Sequence, residues 1–205
     1  MNNILTIGIA GGSGSGKTTL TRVLAQRFPM HAVILNHDDY YKARDDLSYE
    51  ERAALNYDEP DAFDNELFCE HLTMLRHGYD IRCPVYDYSE HNRTAETRLL
   101  SARPLVLVDG ILIFSDPAIC DLLDLRVFVD TDADIRILRR LMRDIHERGR
   151  SVDSIVAQYQ NTVKPMHEKY VEPSKRMANI IVPDGGENVI AAEMIISYIR
   201  EHLGI

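Results

Sequence analysis

Residues 11–18 read GGSGSGKT and follow the apolar run 4–10 directly. This is the P-loop pattern G-x-x-x-x-G-K-[ST], carried by Gly11, Gly16, Lys17 and Thr18, in the setting it requires, an apolar strand leading into a helix. No other feature constrains the fold as strongly, because it prescribes a buried strand, a sharp loop and a helix in that order. Glycines lacking Cβ let successive backbone N–H groups turn inward around an anion, and the helix adds the positive end of its dipole. Gly12, Ser13, Gly14, Ser15 and Thr19 complete the expected phosphate-binding segment. Lys17 can reach the β and γ phosphates of a nucleoside triphosphate, and the Thr18 hydroxyl can ligate Mg²⁺. At ordinary residue frequencies the four fixed positions coincide by chance in roughly one chain of this length in a hundred.

The remaining chain alternates apolar β-rich runs with helical patterns, which predicts βαβ units around a parallel sheet. The runs are 4–10, Ala32–Asn36, 105–108, Leu125–Val129 and Ile180–Val182, each continuous, as befits strands buried on both faces. Helices are expected over 18–28, over 64–76 with Gly78 beyond its end, and over 133–147 with Asp132 as N-cap and Gly149 as stop. A last helix follows Asn188. The expected fold class is a three-layer α/β/α arrangement with a parallel central sheet, in one domain over 1–205. Two stretches interrupt the alternation: a β-hairpin insertion at about 80–100 and an arginine-rich helix–glycine–helix segment at about 139–158, which suits a movable lid.

Composition narrows the functional classes. A net charge of −9 argues against a general nucleic-acid binder. No apolar run approaches 18 residues, so neither a membrane span nor a signal peptide is expected. Cys69, Cys83 and Cys120 lie far apart, as reduced thiols of a cytoplasmic protein do.

Several residues carry chemistry that the residues alone leave open. Asp38, past the second strand, can accept a hydroxyl proton, hold Mg²⁺ through water, or end a turn. Asp109, ending the third core strand, is either a magnesium carboxylate or half of an Asp-Gly turn. Arg136, Arg139, Arg140 and Arg143 share helical spacing and can bind phosphate, or pair with Asp144 and Glu147 on a solvated face. Tyr86, Tyr88 and His91 in the hairpin can stack on and read a base, or pack. Asp58 can hold ribose hydroxyls or belong to a loop.

Together these stretches resemble the uridine kinase (uridine–cytidine kinase) family along nearly the whole chain: GGSGSGKTT, HDDYYK, NYDEPDAFDNEL, PVYDYSEHNR, FVDTDADIRILRRLMRDIHERGR and QYQNTVKPMHEKYVEPSK. The resemblance implies transfer of the γ-phosphoryl group of ATP or GTP to the 5′-hydroxyl of uridine or cytidine, with Mg²⁺. By position it makes Asp38 the catalytic base, and Asp58 and Arg140 the ribose-holding pair. Tyr86 and His91 become the pyrimidine readers, with Arg150 and Gln158 nearby. Arg143 and Arg148 become lid arginines on the phosphates. Tyr57 and Tyr88 stand where the family often has phenylalanine, and Asp109 where it usually has glutamate. The resemblance further implies a cytoplasmic homotetramer in pyrimidine salvage. The rival readings are a phosphoribulokinase-like sugar-phosphate kinase and a regulatory ATP-binding module. A GTPase switch would carry an N-K-x-D motif, which the sequence lacks.

Overall fold

A computed structural model describes residues 4–205, the side chain of Arg148 excepted. At its centre lies strand β1 (Leu5–Ala10), paired in parallel with β5 (Leu105–Asp109) on one side and β6 (Leu125–Val129) on the other. β2 (Ala32–Asn36) pairs with β5 and β7 (Ile180–Val182) with β6, completing a parallel sheet of order β2-β5-β1-β6-β7. The five strands fall where the apolar runs predict them, with Asp109 drawn into the end of β5.

Alternation along the strands builds the two outer layers. Leu5, Ile7 and Ile9 pack beside Leu20 and Leu24 of α1 (Lys17–Arg27) and Ile195, Ile196 and Ile199 of the last helix, α7 (Val189–Leu203). Val106, Val108 and Phe128 belong to the opposite core, with Phe68, Leu72 and Leu75 of α3 (Asn65–Arg76). The antiparallel pair β3 (Ile81–Asp87) and β4 (Asn92–Leu100) stands apart as its own two-stranded sheet. Among the described residues no helix is long and apolar enough to cross a membrane.

Three features differ from the sequence expectation or exceed it. Asp132 occupies the N-cap of α5 (Ala133–Arg148), but its side chain makes no capping bond; only its backbone carbonyl receives the Arg136 N–H, at 3.0 Å. Two short helices, α2 (Tyr49–Ala53) and α4 (Pro117–Asp121), have no counterpart in that expectation; α2 starts with a full capping box between Ser48 and Glu51. Beyond Gly149, α6 (Val152–Gln158) does not stop near residue 158 but continues helically to Met177. Two π-turns, Tyr159–Val163 and His167–Val171, interrupt that run, and each precedes a proline, Pro165 or Pro173. A helical proline lacks an N–H and crowds the carbonyl four residues back. The widened turn relieves this by routing bonds five residues back, from Lys164 N–H to Tyr159 O and from Glu172 N–H to His167 O.

Between β2 and the hairpin lies a short 3₁₀ turn, His37–Tyr40. His37 is fully buried, stacked on Phe63 with ring centroids 4.0 Å apart and edge-on to Phe68 at 4.8 Å. Asn65 donates Nδ2 to Asp116 (2.8 Å), leaving its Oδ1 to accept from His37 Nε2 (2.9 Å), which places a proton on Nε2. Burial lowers its pKa to about 4, against the opposing influence of Asn65 and Asp116. Because the folded value lies below the unfolded one, the unfolded chain binds the extra proton, and stability falls as pH drops from about 6.5 toward 4. At the lower end His37 accounts for roughly 3 kcal/mol of that loss. His37→Phe should flatten the dependence of unfolding free energy on pH between 6.5 and 4, measured by denaturant titration; an unchanged slope would refute the assignment.

Candidate active site

The P-loop takes the geometry that an anion requires. Gly16, at the N-cap of α1, has φ 94°, a left-handed conformation that a side chain would strain. The first turn of α1 holds no acidic residue, so the positive end of its dipole is not locally compensated. The loop is braced from outside. Thr131 Oγ1 donates to Ser15 O at 3.0 Å, and Arg140 Nη1 to Ser13 Oγ at 2.8 Å. The β7–α7 connection presses on it so closely that a Cβ on Gly186 would stand 1.9 Å from Gly16 O. Arg139 lies against Gly185 in this connection rather than with the other arginines of α5. The residues of this connection escape a reading by motif; the Gly185–Gly186 pair after a strand is the one signal that points to them.

Parallel pairing aligns the acidic residues with the loop. Asn36 is in register with Asp109, and the 3₁₀ turn carrying Asp38 follows at once. Asp38 Oδ1 and Asp109 Oδ1 are both buried without a hydrogen-bond partner in the protein. Burial pushes the Asp109 carboxyl up, opposed by Lys17 and Thr18. Asp58 is likewise raised by burial and opposed by Arg140 and Lys17. Among the described residues no group of three or more His, Cys, Asp or Glu gathers as a metal site. The Thr18 hydroxyl and two lone carboxylate oxygens fit Mg²⁺ instead, which takes few protein ligands and completes its shell with phosphate and water.

The arginine segment is organised by one carboxylate. Asp144, fully buried, lies within 2.9 Å of Arg143, 3.4 Å of Arg150 and 3.7 Å of Arg140. Gln158 Oε1 accepts from Arg140 (2.8 Å) and Arg150 (2.6 Å), and Arg150 also donates to Ser154 Oγ (3.0 Å). Of the four arginines spaced along this helix, Arg140 and Arg143 pair with Asp144, but around a buried carboxylate rather than on a solvated face, and both line the cavity with Arg150. The described side chains do not include that of Arg148.

A cavity of about 830 Å³ joins these parts. Its lining brings together Ser13, Lys17 and Asp38, the aromatic group of Tyr57, Tyr86, Tyr88 and His91, and Arg140, Arg143, Arg150 and Gln158, with Asp58 near Arg140, Asp38 and Lys17. Thr18 and Asp109 are not among its lining residues, and Thr19 is exposed. Tyr41, absent from the sequence candidates, lies amid the aromatic group, 5.0 Å from Tyr86 and 5.2 Å from Tyr57, ring to ring. Tyr57 stacks on His91 (5.8 Å, 25°), and its hydroxyl sits 3.0 Å from Arg52 O and 3.2 Å from His91 O. This hydroxyl thus braces the hairpin turn. His91 has φ 50°, unusual for a non-glycine residue, and burial together with Arg150 and Arg52 lowers its pKa. The Tyr86 hydroxyl is buried without a hydrogen bond. A planar ring and a hydrogen-bonding ligand edge suit such a wall.

Removing Asp144 strands several partly buried cations at once. Asp144→Ala should lower unfolding free energy by roughly 3 kcal/mol, the scale for breaking a buried pair. Equilibrium denaturation with a change under about 1 kcal/mol would show that the arginines are held elsewhere.

Residues 6–191 match the model of the phosphoribulokinase/uridine kinase family. A uridine kinase of Clostridium perfringens is 47% identical over 205 residues, covering 100% of this chain and 99% of that one. A uridine kinase of Bacillus cereus is 49% identical over 199 residues, 97% and 94% of the two chains. Among solved structures, phosphoribulokinase from Rhodobacter spheroides superposes with a TM-score of 0.67 at 16% identity, covering 89% of this chain and 71% of that one. D-glycerate 3-kinase from Cryptococcus neoformans gives 0.63 at 16% identity, covering 83% and 80%. At such identities these two likenesses concern the fold.

Proposed function

The chain belongs to the phosphoribulokinase/uridine kinase family, and on that premise we propose that it is a uridine kinase, transferring the γ-phosphoryl group of ATP to the 5′-hydroxyl of uridine or cytidine. The observation that carries this reading is one cavity lined by two unlike sets of groups, a P-loop lysine with Asp38 and an aromatic wall with His91. The proposal extends, on family resemblance, to GTP as an alternative donor and to a cytoplasmic homotetramer in pyrimidine salvage, supplying UMP and CTP synthesis. Exposed Ile190, Met194 and Tyr198, four residues apart on α7, are suited to an interface between copies.

The chemistry asks mainly for positioning and charge neutralisation. The amides of Gly11–Gly16 and the side chain of Lys17 hold the triphosphate, with Thr18 and Thr19 at the helix start. Thr18, Asp38 and Asp109 are the residues that would hold Mg²⁺, which supplies neutralisation of phosphate charge. Asp109 stands one methylene short of the family's usual glutamate; its buried, unpartnered Oδ1 remains open to a cation or its water. Asp58 and Arg140 orient the ribose, and Tyr57, Tyr86, Tyr88 and His91 receive the base, with Arg150 and Gln158 beside it. The 5′-hydroxyl oxygen then attacks the γ-phosphorus, its proton passes to Asp38, and the bond to the ADP oxygen breaks. Arg143, and Arg148 by resemblance, neutralise the transferring group, while closure of the arginine segment keeps water out.

Phosphoryl transfer measured across uridine, cytidine, adenosine and ribulose 5-phosphate tests the reading. The pyrimidine nucleosides should be turned over and the other two should not; turnover of ribulose 5-phosphate would make this a sugar-phosphate kinase, and no acceptor-dependent ADP release a binding module. Asp38→Asn should lower kcat by about 10²-fold or more, and near-parental turnover would remove Asp38 from the base role. His91→Ala should erode the preference for uridine over adenosine; an unaltered preference would mean that the base is read elsewhere.

A further inference from the structure

Arg93 is the second residue of β4, two residues after His91, and stands opposite Tyr86 in the hairpin ladder. Its side chain does not point to solvent: only 15% of it is exposed. Its guanidinium reaches out of the hairpin and makes three bonds. Nε donates to Tyr41 O at 2.9 Å, Nη2 to Tyr40 O at 3.1 Å, and Nη1 to Asp64 Oδ2 at 3.0 Å. Tyr40 and Tyr41 end the turn that begins with His37 and Asp38. Asp64 is itself tied to that turn, through its own N–H to Tyr40 O at 2.9 Å, and it caps α3 by accepting from Leu67 N–H. One side chain therefore fixes the hairpin, the Asp38 turn and the start of α3 at three points.

We propose that Arg93 is a positioning residue for phosphoryl transfer: it sets the distance between the hairpin wall formed by Tyr86 and His91 and the Asp38 carboxylate. The inference rests on the kinase reading above. The span matters because the base end of a nucleoside docks on the hairpin while its 5′-hydroxyl must meet Asp38, so an error at the joint appears directly as misplacement of the reacting atom. The donor's geometry is specific to arginine. A planar fork can serve two successive carbonyls and a carboxylate together, whereas an ammonium is a compact point charge on a flexible stem. Arg98, farther along β4, makes a second link to the turn at Asp39 (3.3 Å), but its side chain is half exposed and joins by one ion pair. It offers a matched comparison on the same strand.

The test compares Arg93→Ala, Arg93→Lys and Arg98→Ala in the full chain, with turnover divided by the number of ATP-binding sites titrated in each preparation. That division removes any share of misfolded protein. For Arg93→Ala, kcat on uridine per site should fall by about 10²-fold, the scale of a displacement near 1 Å, with the KM for ATP within about threefold of the parent. Arg93→Lys should recover little of the loss, and Arg98→Ala should stay within about threefold of the parent. If Arg93→Ala does not fold, Arg93→Gln is read by the same criterion. Parental kcat per site with only a lowered melting temperature would overturn the inference and leave Arg93 as a structural tie. A parent chain that phosphorylates neither uridine nor cytidine would overturn the kinase reading itself.

Discussion

The parallel pairing of β1 between β5 and β6 is the interaction on which the rest of the molecule depends. Ile9 stands beside Asp109 on one side and Val127 on the other, while Asn36 of β2 is in register with Asp109 from beyond. The P-loop, Asp109 and the turn bearing Asp38 therefore leave the sheet at one edge and at one level. No long-range contact between their side chains is needed to bring them together. A slip of one residue would send the apolar side chains of β1 to the wrong layer, so the two cores on either face enforce the register that the chemistry uses.

Around that edge the molecule concentrates charge in a poorly hydrated place. Burial raises Asp58 and Asp109, while Lys17 and Arg140 counter it. Asp144 does the converse for the arginine segment, gathering cations whose mutual repulsion would otherwise scatter them. An acidic chain can thus line its cavity with a cationic wall. Charges held by fixed partners in low dielectric act more strongly on a ligand than mobile surface charges do, and they need not reorganise when it arrives.

Much of this is legible in the sequence for a physical reason. Strands buried on both faces must be mainly apolar runs, as the central β1 and β5 are, while the edge strands β2 and β7 are only partly buried and still read as apolar. The P-loop announces itself because its backbone geometry admits few residues. Hairpin aromatics and the helical arginines are visible as types, and Tyr86, Tyr88, His91, Arg140 and Arg143 do share the cavity with Asp38 and Asp58. The relations between segments stay hidden. α2 carries a capping box but is too short to show an apolar stripe. The helical run through Pro165 and Pro173 stays hidden because a proline ordinarily ends a helix and a π-turn leaves no mark in periodicity. Asp144 looks like any helical surface acid, yet it is fully buried. Tyr41 gives no motif, and Arg93 looks like hairpin punctuation until its three acceptors are located on other segments.

The π-turns at Tyr159–Val163 and His167–Val171 bear on how this chain's length can vary. A π-turn holds one residue more than the α-helical turn it replaces, so deleting a residue inside it would return the backbone to ordinary winding without rotating the helix beyond it. The proline past the turn would then collide with the carbonyl four residues earlier. Deletion is therefore costly while the proline remains, whereas replacing the proline first leaves the turn free to lose its extra residue. Between Val152 and Met177 the order in which changes can come is thus set by two residues, Pro165 and Pro173.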